Sequence, residues 1–205
     1  MTNITANSDP LSEVAFHELT HAAHYNKAGN AWWNDFVDSE LNNIVWRSNQ
    51  NPPYGNGNQG AISDIIALGE SWAYHMGHFM SDQKYGLNST DVFEQGIRYQ
   101  NNNPIGGFSS HINLLEDFSP QRTADPDRWI PQGLYYDLMD NRNDRIVTGN
   151  FVLPDDNVSN YTNQQFFNAL DADITSLPAY RQRLLDENAN NQAADVISLF
   201  SFYNY

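Results

Sequence analysis

The 205-residue chain has no cysteine. Disulfides and thiolate ligation are therefore excluded, and any metal ion must be held by His, Asp or Glu. Basic residues are scarce: ten Lys and Arg stand against 25 Asp and Glu, giving a formal net charge of −15. A surface of that sign repels a phosphate backbone and anionic lipid, which argues against nucleic acid and membrane surfaces as partners. No apolar run reaches the ~18 residues of a membrane span, and "MTNITANSDP" lacks the basic start and apolar stretch of a signal peptide. With 40% apolar and 13% aromatic residues a packed core is still within reach, and with no break in composition one domain over 1–205 is expected.

Helical signals dominate. Asp9-Pro10 reads as an N-cap with proline at the first helical position, and Gly29 reads as a stop, so a first helix is expected over Pro10 to Ala28. Residues 31–48 set Trp32, Trp33, Phe36, Val37, Leu41, Ile44 and Val45 at helical spacing, and "NQNPPYGNGNQG" then reads as a loop. A third helix, Ala61 to about Asp82, is apolar over most of its circumference and should be central. Further on, "DVFEQGIRY", "SSHINLLEDF" and "LYYDLMD" are short helix candidates, and "NNNPIGGF" and "FSPQRTADPDRWIPQG" are loops. "RIVTGNFVL" is the best strand candidate, and "DNRND" is an ordinary turn, since Arg142 spoils a calcium loop. Three amphipathic helices close the chain, the first capped by Thr162. The expected fold is mainly α with few or short strands.

The chemistry lies in "VAFHELTHAAHYN", Val14 to Asn26. His17-Glu18-Leu19-Thr20-His21 is an H-E-x-x-H pattern on a predicted helix, where residues four apart sit about 40° apart around the axis and about 6 Å along it. His17 and His21 can thus converge on one ion. Glu18, about 100° further round, lies beside that face and suits a general base acting on a metal-activated water. Ala15, Phe16, Leu19, Ala22 and Ala23 form an apolar stripe expected to pack on the core. His24 lies about 10 Å along the helix from His17, too far to complete the same ion's ligand set, and reads as a solvated or capping histidine, with support of the site or contact with substrate as the alternative. It also stands where the metzincin pattern needs glycine, with Lys27 in place of that pattern's last histidine.

The third ligand is expected from the "ALGESWAYHMGH" helix, which offers Glu70; Asp64, Glu13 and His75 are the alternatives. Ser63, Ala67, Ala73 and Gly77 share a face with Glu70, so small residues flank the carboxylate and allow a second helix to approach closely. Ile65, Leu68, Trp72, Met76 and Phe79 line the opposite side. With its glutamate followed by small and aromatic residues, Glu70-Ser71-Trp72-Ala73-Tyr74, this segment resembles the ligand-bearing second helix of gluzincin-type zinc metallopeptidases. The likeness covers about Val14 to Gly77 and extends more loosely to exported bacterial HExxH proteins.

That resemblance implies a zincin-like domain with the HExxH helix packed on a Glu-bearing helix, zinc held by His17, His21 and Glu70, and Glu18 in catalysis. A polypeptide or glycoprotein substrate and an extracellular, periplasmic or cell-surface location follow from it. Tyr74 stands where many gluzincins carry an aspartate supporting a histidine ligand. Tyr74, His75, Tyr135 and Tyr136 are candidates to steady the oxyanion. The family's substrate-holding sheet would precede the first helix, so an upstream region is expected to be missing. A competing expectation from the same residues is a non-catalytic zincin-like module at the cell surface, binding protein or glycan.

Overall fold

Residues 8–46 contain one proline, in the first turn where a missing N–H is harmless, and one glycine, Gly29. The computed structural model makes this stretch α1 (Ser8–Trp46), helical throughout except at Gly29, whose φ of 81° and ψ of 177° split it into two arms, 8–28 and 30–46. Both helices expected here are present, and the stop falls on the expected glycine. The structure describes residues 8–46, 57–85, 99–100, 103–104, 129–141, 147–148, 151–152 and 157–205, with side chains given within 13–43, 57–81, 83–84, 129–141 and 157–205.

Next comes α2 (Ala61–Tyr85), whose residues 65–75 are all buried, as its apolar circumference requires. Ile65, Leu68 and Trp72 enter the core, with Met76 and Phe79 half-buried beside them. The small-residue face meets α1: a Cβ on Gly77 would lie 3.2 Å from the Glu13 carbonyl oxygen and 3.5 Å from His17 Cβ. Among the described residues, four short helices follow: α3 (Leu134–Met139), α4 (Asn163–Asn168), α5 (Leu177–Glu187) and α6 (Ala193–Phe202). Thr162 caps α4 as expected, its hydroxyl accepting from the Gln165 amide at 3.3 Å while the Gln165 side chain accepts from the Thr162 amide at 2.9 Å.

Among the described residues strands are minimal. Strand β1 (Tyr99–Gln100) pairs antiparallel with β2 (Asn103–Pro104), and β3 (Val147–Thr148) with β4 (Phe151–Val152), the last pair lying in the described part of "RIVTGNFVL". The fold is mainly α. The readings of "DVFEQGIRY", "SSHINLLEDF", "NNNPIGGF", "FSPQRTADPDRWIPQG" and "DNRND" lie wholly or largely outside the described residues. No described helix is long and apolar enough to cross a membrane.

One expectation fails. The stripe of Ala15, Leu19, Ala22 and Ala23 is exposed, Leu19 at 63%, and Phe16 is half-buried. The first arm instead buries Glu13, His17, Thr20, His24 and Ala28, a seam that is mostly polar. Helix faces follow apolar content only where nothing outweighs it; here paired polar groups line the contact with α2. At its far end the first arm is fastened to the C-terminal half. Lys27 Nζ donates to Asp171 at 2.6 Å and to the Asn168 carbonyl at 3.0 Å. Just past the kink, Trp32 Nε1 donates to the Ile174 carbonyl at 2.7 Å.

Candidate metal centre

His17 and His21 leave the first arm one turn apart, and their Nε2 atoms stand 3.1 Å from each other. Glu70 arrives from α2 between them. Its Oε2 lies 3.3 Å from His17 Nε2 and its Oε1 3.3 Å from His21 Nε2. One ligand atom from each of the three residues falls within 4.8 Å of the others, and among the described residues this is the group able to hold a metal ion. Three lone-pair donors are thus gathered in a buried space, an arrangement that a cation satisfies at once. Burial opposes the charge on Glu70, but hydrogen bonds and charge from His17 and His21 prevail and hold its carboxyl well below the ordinary range.

Aromatic rings fix the imidazoles. Tyr74 meets His17 edge-on at 4.8 Å between centroids, while Trp33 and Phe36 pack against His21 at 5.4 and 5.6 Å. Phe36 fits because residue 69 is glycine, where a Cβ would sit 2.5 Å from the ring. Glu18 is exposed on the neighbouring face, as its helical angle dictates.

The other candidates are placed elsewhere. Glu13, an alternative ligand, pairs instead with His78, Oε1 to Nδ1 at 3.1 Å, both side chains buried. Asp64 is half-buried in the first turn of α2 and is not part of the ligand group. His75 points to the C-terminal helices, with Nε2 2.7 Å from Asn163 Oδ1 and its ring among Trp72, Phe79, Tyr135 and Phe166. Burial, partly offset by the Asn163 hydrogen bond and aided by His78, lowers its pKa to about 4. Tyr135 is enclosed by Trp72, His75, Phe166 and Tyr180, and burial pushes its phenol upward. Tyr136 is half-buried on α3. Of the four oxyanion candidates, Tyr74 is the one seen against a ligand.

His24 corrects another expectation. It is wholly buried, its ring 4.2 Å from Trp32, and neither ring nitrogen has a hydrogen-bond partner. Burial, then His21 and Lys27, lower its pKa to about 3. It lies seven residues from His17, two turns along the seam that faces α2, and so shares the face of His17 and His21 without joining their group with Glu70.

Sequence reasoning missed Glu40. The second arm carries this half-buried residue, and burial, followed by the charge of Glu70, a hydrogen bond with it and the charge of Glu18, pushes its carboxyl up to about 8. Nothing in its own stretch, "VDSELNN", marks it out; the contact depends on how two helices meet. No protein-family model, no curated protein and no solved structure matches the chain.

Proposed function

We propose that the protein is a gluzincin-like zinc peptidase, with His17, His21 and Glu70 as ligands and Glu18 as general base. The convergence of two imidazoles and one carboxylate, at donor separations of 3.1 to 3.3 Å, carries the reading. Tetrahedral bonds of about 2.0–2.1 Å imply donor–donor edges of about 3.3–3.4 Å, near the 3.1 Å between the two imidazole nitrogens and the 3.3 Å from each of them to its own Glu70 oxygen. Two nitrogens with one carboxylate and no sulfur is also the donor set of catalytic zinc, which keeps a fourth position for water or substrate. Zinc bound there supplies a nucleophilic water at neutral pH and polarises the scissile carbonyl.

The chain supplies the rest. Glu18 stands beside the ligand face rather than on it, free to take a proton from the attacking water and hand it to the leaving amine as the C–N bond breaks. Tyr74 holds the His17 ring from the side. The substrate is a polypeptide or glycoprotein, met outside the cytoplasm. A role for Glu18 separates this reading from a metal-bearing module that binds protein or glycan without cleaving it.

The test is metal content, an anomalous-scattering scan at the zinc edge, and hydrolysis of unfolded protein by wild type and Glu18→Gln. One zinc per chain is expected in both, with hydrolysis in the wild type lowered at least ~100-fold in the variant. Full activity in Glu18→Gln would overturn the mechanism, and zinc without any hydrolysis would favour the binding module. Removing Glu70 as Glu70→Ala should weaken zinc binding far more than tenfold, since a ligand is lost rather than its support.

A further inference from the structure

The polar seam between α1 and α2 is a ladder with a constant step. Forward along α1, Glu13, His17 and His21 come about one turn apart; backward along α2, so do His78, Tyr74 and Glu70. Each meets its opposite number. Glu13 Oε1 stands 3.1 Å from His78 Nδ1, the His17 and Tyr74 rings are 4.8 Å apart, and His21 Nε2 lies 3.3 Å from Glu70 Oε1. The two helices thus run antiparallel in one register, and that register brings Glu70 to the histidines. Advancing α2 by one residue would turn Glu70 about 100° away from them. The first rung is outside the ligand group, yet both of its side chains are 3% exposed. It bears on the second rung, the His78 ring stacking on Tyr74 at 6.5 Å, and beside it the backbones close in, a Cβ on Gly77 falling 3.2 Å from the Glu13 carbonyl oxygen.

We propose that Glu13 and His78 are positioning residues for the metal centre: their contact sets the register of α2 on α1, and through it the place of Glu70 between His17 and His21. This rests on the metal reading above and assigns that site a support one turn removed from the ligands. Apolar contacts slide past one another at little cost, whereas a buried polar pair finds its partner in one register and is stranded in any other. Fixing register is the best-attested use of buried polar and ionic groups, which often add little stability over apolar side chains of the same size. The first arm needs such a device. Among its described residues Ala28 alone is both buried and apolar, so no large apolar side chain is buried there to hold the register instead.

Zinc affinity of the full chain, measured by competition with a chromophoric chelator, is read beside the urea midpoint of the metal-free protein. Glu13→Met combined with His78→Leu replaces the pair by apolar side chains of similar volume. Its midpoint should stay at or above that of the wild type, while zinc binds about ten- to a hundredfold more weakly. Glu13→Gln, which keeps a polar group of the same reach against His78, should bind zinc like the wild type. Should the double variant fail to fold by circular dichroism, Gly77→Ala takes its place with the same loss expected, because its Cβ pushes the Glu13 turn off α2 and leaves the pair's own side chains unaltered. Wild-type affinity in the double variant, or in Gly77→Ala where that is used, overturns the inference while leaving the metal centre intact. A midpoint that falls along with the affinity makes the pair a stabiliser only and overturns it as well. So does a Glu13→Gln protein as weak as the double variant, since charge and not register would then be acting. A wild-type chain that takes up no zinc overturns the metal centre and this inference together.

Discussion

His75 sits 3% exposed in a cage of aromatic rings, its Nε2 at 2.7 Å from Asn163 Oδ1, where a neutral ring donates N–H to the amide oxygen. Its pKa of about 4 lies below the ordinary 6.5. Between those values the unfolded chain binds a proton that the folded chain does not. The contribution of His75 is therefore fully present above pH 6.5 and is lost as pH falls toward 4, at a slope of up to about 1.4 kcal/mol per pH unit. His24 acts in the same direction over a window from 6.5 to about 3. Glu40 opposes both: its raised value contributes stability at low pH that is lost as pH rises from about 4.5 to about 8. Comparing metal-free wild type with His75→Gln by urea denaturation isolates one residue from the others. The wild type's advantage should shrink as pH is lowered from about 7 to about 5; an advantage constant across that range would contradict the assignment.

At the scale of elements, Gly29 decides where the second arm goes. Its φ of 81° and ψ of 177° belong to a region open essentially to glycine alone, and nothing lies within 4 Å of an added Cβ. Gly29→Ala therefore meets backbone strain without a clash, and should destabilise the protein by about 1–3 kcal/mol, read from the urea midpoint. An unchanged midpoint would mean that the arms do not need this bend. Such local signals made much of the fold legible: the stop at Gly29, the long apolar α2, the Thr162 cap, and the two imidazoles four residues apart. What stayed illegible depends on how elements meet. The first arm was expected to bury Leu19 and its apolar neighbours, yet buries Glu13, His17, Thr20 and His24, because a face built to hold polar groups together inverts the usual pattern. His24 was read as solvated for the same reason. Glu40 gave no signal, since its approach to Glu70 is set by the angle taken at a glycine eleven residues earlier.

Across the whole molecule, the His17–His21–Glu70 group and the C-terminal helices share one core. The side of α2 away from α1 carries Trp72, whose ring meets Tyr135 at 5.4 Å and Phe166 at 6.5 Å, and Tyr135 in turn meets Tyr180 of α5 at 5.6 Å. The Lys27–Asp171 pair and the Trp32–Ile174 hydrogen bond tie α1 to the same half. Of these ties the second is the stronger, because a buried carbonyl loses its donor if Trp32 moves, whereas the Lys27 pair is partly exposed and screened. A core connected in this way opens as a unit, so a ligand bound at one end protects the other. If zinc is the ion held there, a concentration about a thousand times its Kd adds about 4 kcal/mol to the folded state. Amide exchange in α5 and α6, which carry no ligand, should then slow together with exchange in α1 and α2 when zinc is added. Slowing confined to α1 and α2 would show that the helix pair opens independently of the C-terminal half. The His17→Ala protein should lose the effect in both halves, because the coupling runs through the folded core and begins at the ligands.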